Sequence, residues 1–317
     1  AAPRAAASSA QAPPAILSAA DLASFRKDGF LVLRDFFADA EKERLFAAVG
    51  EIQRWPLVRG EHMHYFEKVA APGAHDAVRE GAAEGAAMQW QLCRTENYLD
   101  YHAPLRALVG NGSRAAGAAA ELLGEAQGSL VFKERINYKG PGGGGFAPHQ
   151  DAPAWSGDDP TAEGAELHFM RHTLNMNVAV DPMYRLNGGL EVLPGFQADQ
   201  RIFPQNADGT LADSFVQAHA ARWTEVRLEP GDVLFFSLHI PHRSGPNLTL
   251  RPRRAAYITY AGASHMHPDE RSKYYAKYRR DFPPAGEHES AATYAKGDAA
   301  YNWATPISKE QPSAPAL

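Results

Sequence analysis

Apolar and polar residues follow two different periodicities along this chain, and the change falls near Gly128. Before that residue, helical spacing dominates. Ser18 and Asp21 have the spacing of a capping box, and Gly29 ends the helix that they begin. The pattern predicts, in order, a helix from Ser18 to Gly29, a strand over 30–33, a helix over 38–52 and a helix from Pro104 to a stop at Gly124.

After Gly128 the pattern changes to short β-rich runs, and glycine and proline separate them. The turn sequences include 187–189 and 229–232, where Asn, Asp, Pro and Gly favour tight turns. Many short strands with turns between them are typical of a mostly β protein with flanking helices and a double-stranded β-helix (jelly-roll, cupin-like) core. The predicted strands are 129–138, 171–180, 190–193, 224–228 and 232–237, and a final helix is predicted over 274–280.

Length and terminal composition indicate one principal domain. The chain has 317 residues, and we expect a single jelly-roll domain with helical additions over 18–303. Residues 1–17 are mostly Ala, Pro and Ser and are predicted to be disordered, and 304–317 are expected to form a loose tail. We expect the first segment to be a remnant of either a transit peptide or an expression vector, and the sequence does not separate the two.

Charge and cysteine content exclude several classes of protein. A net charge of −5 argues against nucleic acid as a partner. No apolar run is long enough to span a bilayer. Cys93 is the single cysteine, which excludes an internal disulfide and fits a reducing compartment. We therefore expect a cytoplasmic protein, or an organellar one if the first segment is a transit remnant, and the oligomeric state stays open.

The candidate chemistry begins with His149 and Asp151, which directly follow a glycine-rich stretch over 140–145. Two residues spaced two apart on an extended segment point to the same side. His242, within a later Pro-His-Arg-Ser-Gly-Pro-Asn sequence, supplies a second imidazole. Two histidines and one carboxylate form the face that holds Fe(II) in non-haem oxygenases and leaves positions open for co-substrate and O2.

Arg253 opens a strand-like run some way after His242. Its rigid guanidinium can hold a carboxylate through two parallel hydrogen bonds. In an iron site with open positions, we expect that carboxylate to be the far end of 2-oxoglutarate, whose keto-acid end would chelate the metal.

These motifs resemble the phytanoyl-CoA dioxygenase family of Fe(II)- and 2-oxoglutarate-dependent oxygenases, from about Asp21 to Pro284. Five separated motifs occur in the family's order, and within the family several runs are similar to the bacterial hydroxylases of small aminophosphonates. The family motifs are His149-x-Asp151, 187–195, 230–232, 242–247 and Arg253; the narrower likeness lies in 94–97, 133–137, 142–151, 274–275 and 282–284.

The resemblance adds expected binding residues around this centre. Ser244 is predicted to bind the co-substrate carboxylate together with Arg253, although a simple turn hydroxyl explains it equally well. Gln150 is also predicted to contact the co-substrate. Lys133 and Asn137 share one strand face with Arg135, so they either reach into the barrel toward co-substrate or substrate or form a solvated face.

Two further sets of polar residues are candidates for the substrate pocket and its surroundings. Arg94 and Asn97 are predicted substrate contacts; together with Glu96 they either line the pocket or form an ordinary helix surface. His62 and His64 have the two-apart spacing but lack an acidic partner two residues on. Surface-loop histidines are the commoner explanation for such a pair, and a lid over the pocket is the other.

Together these features predict a dioxygenase that uses Fe(II), 2-oxoglutarate and O2 to hydroxylate a C–H bond of a small polar substrate, with release of succinate and CO2. An aminophosphonate or an amine-bearing acid fits the resemblance. Asp151 favours hydroxylation over halogenation, because a halogenase needs a small residue there. Two alternatives remain: a non-catalytic jelly-roll binding protein, and a cupin-type metal enzyme that does not use 2-oxoglutarate, against which Arg253 argues.

Overall fold

The computed structural model describes residues 15–70, 88–155 and 171–287. Within them, antiparallel strands form most of the regular structure. The strands are β1 (Phe30–Leu33), β2 (Met63–Ala70), β3 (Met88–Glu96), β4 (Ser129–Lys139), β5 (Phe146–His149), β6 (Thr173–Ala179), β7 (Leu190–Val192), β8 (Thr224–Glu225), β9 (Val233–Ser237), β10 (His242–Ser244) and β11 (Arg253–Gly262).

Helices flank the strands at both ends of the described chain. The first begins with the predicted capping box, in which Ser18 accepts from the Asp21 backbone, and ends at Gly29 in the left-handed conformation. The helices are α1 (Ala19–Asp28), α2 (Asp39–Ile52), α3 (Ala103–Val109), α4 (Arg114–Leu123), α5 (Asp213–Ala218) and α6 (Glu270–Asp281), with short 3-10 turns at Ala152–Trp155 and Ala220–Arg222.

The strands form two sheets. The larger has seven strands in the order β1-β9-β6-β11-β4-β3-β2, and the smaller has four in the order β5-β10-β7-β8. Every strand pair in both sheets is antiparallel. Strands that are distant in sequence are neighbours in space, as in a jelly roll. The predicted mostly β fold with a jelly-roll core is confirmed.

The larger sheet separates an apolar face from a partly polar one. On β11, Ala256 and Ile258 pack into the main hydrophobic core with α2, α3 and α4, whereas Ala255 and Tyr257 point the other way. This alternation is the period of two that a pleated strand imposes. The second face lies toward the smaller sheet, and its apolar end forms a separate core that includes Leu234 and Val192. The space between the sheets is where polar side chains can gather.

Two expectations about the helices differ from the structure. The helix predicted from Pro104 to Gly124 is two helices, because Ser113 caps α4 by accepting from the Ala116 backbone and Gly110 ends α3. The segment around Arg94 is strand β3 and not a helix.

The loose first segment also extends less far than predicted. The backbone N–H groups of Ile16 and Leu17 donate to the Glu121 carboxylate, and Leu17 is buried. The predicted disorder of residues 1–14, the domain end at 303 and the tail over 304–317 lie outside the described residues. Among the described helices, none combines the length and the apolar character needed to cross a bilayer.

Candidate active site

Strand pairing brings the two candidate histidines together. His149 ends β5 and His242 begins β10, and the two residues are direct partners in the antiparallel register. Asp151 follows two residues after His149, and its backbone N–H donates to the Leu238 carbonyl at 3.0 Å. All three residues are buried. The two motifs, which are far apart in the sequence, therefore form one compact group.

The three side chains converge on one point through the atoms that bind metals. His149 Nε2 lies 3.6 Å from Asp151 Oδ1, and His242 Nε2 lies 3.7 Å from Asp151 Oδ2. The three ligand atoms lie within 4.8 Å of one another, and no other such group of three occurs in the described parts of the chain. The spacing suits a single ion bound between them.

Backbone carbonyls fix the orientation of both rings. His149 Nδ1 lies 2.6 Å from the Ala147 carbonyl oxygen, and His242 Nδ1 lies 3.1 Å from that of Ile240. A nitrogen that faces a carbonyl carries the proton, so the Nε2 lone pair of each ring is left for a ligand.

Asn175 on β6 holds the carboxylate. Its Nδ2 donates to Asp151 Oδ2 at 2.6 Å, and its Oδ1 accepts from Thr259 Oγ1 at 2.7 Å. Both residues are buried. Such a chain fixes the direction of a ligating carboxylate, which is the role that outer hydrogen bonds have in metal sites.

Titration of these groups favours a ligating state at neutral pH. Burial lowers the pKa of His242 to about 4, and the neighbouring His149 adds to the effect. Burial alone would raise the pKa of Asp151, but His242 and His149 outweigh it, and the pKa lies below its usual range. Asp151 is therefore a carboxylate and His242 a neutral imidazole, the forms that a divalent metal requires.

Arg253 is almost completely enclosed, with 2% of its surface exposed. Its Nη2 donates to the Gly188 carbonyl at 2.6 Å, but Nε and Nη1 are buried and make no hydrogen bond within the described structure. Unpaired buried donors on a cation are costly unless an anion binds to them. The adjacent Arg254 faces the other side, where it pairs with Asp181 through two contacts of 2.8 Å.

A row of polar side chains extends from this centre across the same face of the larger sheet. Arg135 on β4 is paired with Tyr257 on β11 and with Glu96 on β3. Directly paired residues point to the same side of a sheet. The row comprises Arg94, Glu96, Lys133, Arg135, Asn137, Asn175, Asn177, Tyr257 and Thr259.

Lys133 lies near the Asp151 carboxylate, because its register partner Thr259 donates to Asn175, which donates to Asp151. Burial lowers the pKa of Lys133 to about 7, Arg135 lowers it further, and the charges of Asp151 and Glu96 oppose the shift. Of the alternatives for β4, the structure places Lys133 and Asn137 between the sheets and not on a solvated face.

The structure does not place Gln150 where a co-substrate contact was expected. Gln150 lies between His149 and Asp151, so strand alternation turns its side chain the other way. Its Nε2 donates to the carbonyls of Arg201 and His239, and its Oε1 accepts from the Phe203 backbone. The structure therefore contradicts the expected co-substrate contact, and Gln150 instead fixes the loops behind the site.

Asn97 also departs from its predicted position. It lies just after β3 with a φ of 56°, and its Oδ1 accepts from Arg271. Arg271 also pairs with Glu134, which points to the face of β4 opposite Lys133. The structure does not bring Asn97 to the metal group, whereas Arg94 does lie on the inner face, 3.2 Å from Glu96.

The predicted surface position of His62 and His64 is wrong. Both are buried, and His64 lies on β2. Its Nδ1 lies 2.8 Å from Thr95 Oγ1, and the ring centroids of the two histidines are 4.6 Å apart. They belong to a packed cluster with Trp55.

Sequence reasoning missed three polar residues of the site: Lys139, Asn175 and Asn177. Alternation along β4 placed Arg135 correctly but gave no reason to select it, and the same alternation also places Lys139 on that face. Asn175 and Asn177 carry the same period-two signal on β6, in a run otherwise apolar. Polar residues at inward positions of a buried strand are the signal that could have found them.

Comparisons with known proteins agree with this geometry. The sequence model of the family described as phytanoyl-CoA dioxygenase (PhyH) matches residues 25–255. A 2-aminoethylphosphonate dioxygenase from an uncultured bacterium is 32% identical over 89% of this chain and 95% of its own length. A methylphosphonate hydroxylase from Gimesia maris is 34% identical over 84% of this chain and 88% of its own length.

Solved structures show the same fold. EctD from S. alaskensis with bound Fe superposes with a TM-score of 0.60 at 23% identity, covering 82% of this chain and 85% of that one. The same protein with 2-oxoglutarate and 5-hydroxyectoine gives 0.58. The family model and these relatives cover most of the chain, so the protein belongs to the phytanoyl-CoA dioxygenase family and is an Fe(II)- and 2-oxoglutarate-dependent dioxygenase.

Proposed function

We propose that His149, Asp151 and His242 hold Fe(II), and that Arg253 with Ser244 binds the far carboxylate of 2-oxoglutarate. Two observations support this assignment. The triad offers two imidazole Nε2 atoms and one carboxylate to a common point. Arg253 offers two unpaired buried donors, which fit a carboxylate.

When bound, iron, 2-oxoglutarate and O2 together supply the oxidation that hydroxylates the substrate and releases succinate and CO2. The protein's own residues supply placement. Asn175 fixes the Asp151 carboxylate, backbone carbonyls fix both rings, and burial of all three ligands keeps bulk water away from them. The other side chains of the polar row can then contact the substrate and determine which substrate binds.

We propose further that the substrate is a small phosphonate that carries an amine. The observation that carries this proposal is the charge pattern beside the triad. Arg94 and Arg135 place two guanidinium groups on the inner face, beside the partly protonated amine of Lys133, and Arg135 Nε is buried without a hydrogen bond to a described residue. A doubly charged head group suits such a cluster better than a carboxylate does.

Glu96 adds the opposite charge to this face. It is buried, its Oε1 accepts from Arg94 at 3.2 Å, and its Oε2 has no hydrogen bond among the described residues. A buried carboxylate oxygen without a donor favours a ligand that brings one, such as an ammonium group. Of the two compounds for which the relatives are named, 2-aminoethylphosphonate carries an amine and methylphosphonate does not. Glu96 therefore favours the amine-bearing substrate.

Substrate-dependent succinate release tests this proposal. The panel contains 2-aminoethylphosphonate, methylphosphonate, propylphosphonate, an amino acid, a quaternary amine and an acyl-CoA. We expect succinate release to be faster with 2-aminoethylphosphonate than with propylphosphonate, which has the same length but no amine. Strong turnover of the acyl-CoA alone would contradict the proposal, because a bulky thioester does not fit this enclosed polar row.

Variants of two neighbouring carboxylates sharpen the test. Glu96→Gln removes the charge that faces the amine, so the preference for 2-aminoethylphosphonate over propylphosphonate should fall about ten- to a hundredfold. Glu134→Gln is the control, because Glu134 points to the opposite face and pairs with Arg271. Equal preference in the wild type and in Glu96→Gln would leave the phosphonate assignment standing but remove Glu96 from it.

A further inference from the structure

Lys139 is the most deeply enclosed lysine of the described chain, with 3% of its surface exposed. It ends β4 and is the direct register partner of Arg253 on β11. Two cationic side chains therefore enter the space between the sheets side by side. Burial of a lysine is costly unless its charge and its hydrogen bonds are matched, so this placement calls for a function.

The Lys139 ammonium group has three acceptors. Its Nζ donates to Ser244 Oγ at 2.9 Å and to the Gly245 carbonyl at 2.8 Å, and it lies 3.4 Å from the Gly188 carbonyl. Three acceptors match the three protons of an ammonium group. The Gly188 carbonyl also accepts from Arg253 Nη2 at 2.6 Å. Lys139, Ser244 and Arg253 thus belong to one hydrogen-bonded cluster around Gly188.

Gly188 leaves room for the Lys139 side chain because it has no Cβ atom. Its φ is +77°, and a Cβ atom there would lie 2.4 Å from Lys139 Cδ and 2.7 Å from Nζ. Any larger residue would displace the lysine from the carbonyl that it shares with Arg253. The turn sequence is therefore matched to the position of Lys139 as well as to its own backbone conformation.

The charges of the cluster are only partly compensated. Burial lowers the pKa of Lys139 well below its usual value, Arg253 lowers it further, and Glu67 opposes both. A bound anion beside Arg253 would stabilise the protonated form of Lys139. The unpaired Nε and Nη1 atoms of Arg253 indicate where that anion lies.

We propose that Lys139 is a positioning residue for the far carboxylate of 2-oxoglutarate, acting through Ser244; this inference rests on the co-substrate site proposed above. By donating to Ser244 Oγ, Lys139 occupies a lone pair of the hydroxyl and leaves the hydroxyl proton as a donor. Ser244 then donates to the carboxylate that Arg253 holds. The positive charge of Lys139 adds to the attraction at that end of the co-substrate.

Two keto acids separate this role from general structural damage. 2-Oxoglutarate and 2-oxobutyrate share the keto-acid group that chelates iron, but 2-oxobutyrate lacks the second carboxylate. Each is titrated calorimetrically into the anaerobic Fe(II) enzyme. In Lys139→Met the affinity for 2-oxoglutarate should fall about ten- to a hundredfold, whereas the affinity for 2-oxobutyrate should stay as in the wild type.

Ser244→Ala tests the link itself and does not bury an unpaired charge. It should lose affinity for 2-oxoglutarate, and the double variant Lys139→Met/Ser244→Ala should lose little more than Lys139→Met alone, because both changes remove one pathway. Lys68→Met, at an exposed position on β2, is the control and should bind both keto acids normally.

The outcomes are distinct. If the wild type does not distinguish the two keto acids, the proposed co-substrate site fails, and the role of Lys139 fails with it. If the wild type does distinguish them and Lys139→Met keeps the full difference, only the role of Lys139 is overturned. If Ser244→Ala keeps it, both the role of Lys139 and the place of Ser244 in the co-substrate site are overturned. An equal loss of affinity for both keto acids in Lys139→Met would show that Lys139 has a structural role and would also overturn the proposal. If Lys139→Met does not fold, Lys139→Gln, which also removes the charge, replaces it with the same expected and contradicting results.

Discussion

Replacement of Asn175 by Ala should weaken iron binding although Asn175 is not a ligand. Its Nδ2 makes a 2.6 Å hydrogen bond to Asp151 Oδ2, and both groups are buried. Loss of a hydrogen bond to a buried charged group costs about 1.5–3 kcal/mol, which corresponds to roughly a ten- to 150-fold change in an equilibrium constant. Substitution of outer partners in metal sites typically costs about 10–100-fold in affinity, so the two estimates agree.

The assay is anaerobic competition for Fe(II) against a chromophoric chelator. Thr259→Val is an intermediate variant, since it keeps Asn175 but removes the 2.7 Å hydrogen bond that orients it. We expect its loss to be smaller than that of Asn175→Ala. The control is Asn177→Ala, two residues along the same face of β6, whose buried amide makes no hydrogen bond to a described residue. Wild-type iron affinity in Asn175→Ala, or an equal loss in Asn177→Ala, would refute the reasoning.

Three further predictions concern the ligands, the co-substrate and acid stability. Asp151→Ala and His242→Ala should each abolish iron retention and succinate formation; turnover above a few per cent of wild type in both would contradict the triad. Arg253→Lys should raise the KM for 2-oxoglutarate about ten- to a hundredfold with iron binding intact. Arg254→Lys should leave this KM unchanged, because Arg254 pairs with Asp181 on the other face. The reverse result would shift the assignment by one residue. Burial lowers the pKa of His64 from 6.5 to about 3, so the unfolded state takes up this proton first, and folding stability is lost as pH falls below about 6.5. In urea unfolding at pH 7 and pH 5, the free energy of unfolding of His64→Asn should fall by about 1–2 kcal/mol less than that of the wild type. An equal fall in both proteins would contradict this origin.

The metal group was predictable because its signal is local. The two-apart spacing of His149 and Asp151 places both on one side of an extended segment, and this geometry needs no knowledge of the rest of the fold. The same rule turns Gln150 away from the site, so its misplacement was avoidable. The partner motif around His242 could be chosen among other histidines because its Ser-Gly-x-Asn context accompanies it.

Long-range register could not be read from the sequence. Glu96 reaches the site because β3 pairs with β4 opposite Arg135, and Asn175 because β6 pairs with β11 opposite Thr259. Neither pairing has a local signature, since antiparallel register depends on the whole sheet. The contact of Lys139 with Ser244 likewise joins strands of different sheets.

The most direct test of the central claim is anaerobic addition of Fe(II) and 2-oxoglutarate to the purified protein, followed by visible absorption. If the triad holds iron and leaves two positions open for the keto acid, a weak metal-to-ligand charge-transfer band appears in the wild type with a stoichiometry of about one iron per chain, as one triad predicts. The same addition to His242→Ala should give no band. Absence of the band in the wild type, or an equal band in the variant, would contradict the account.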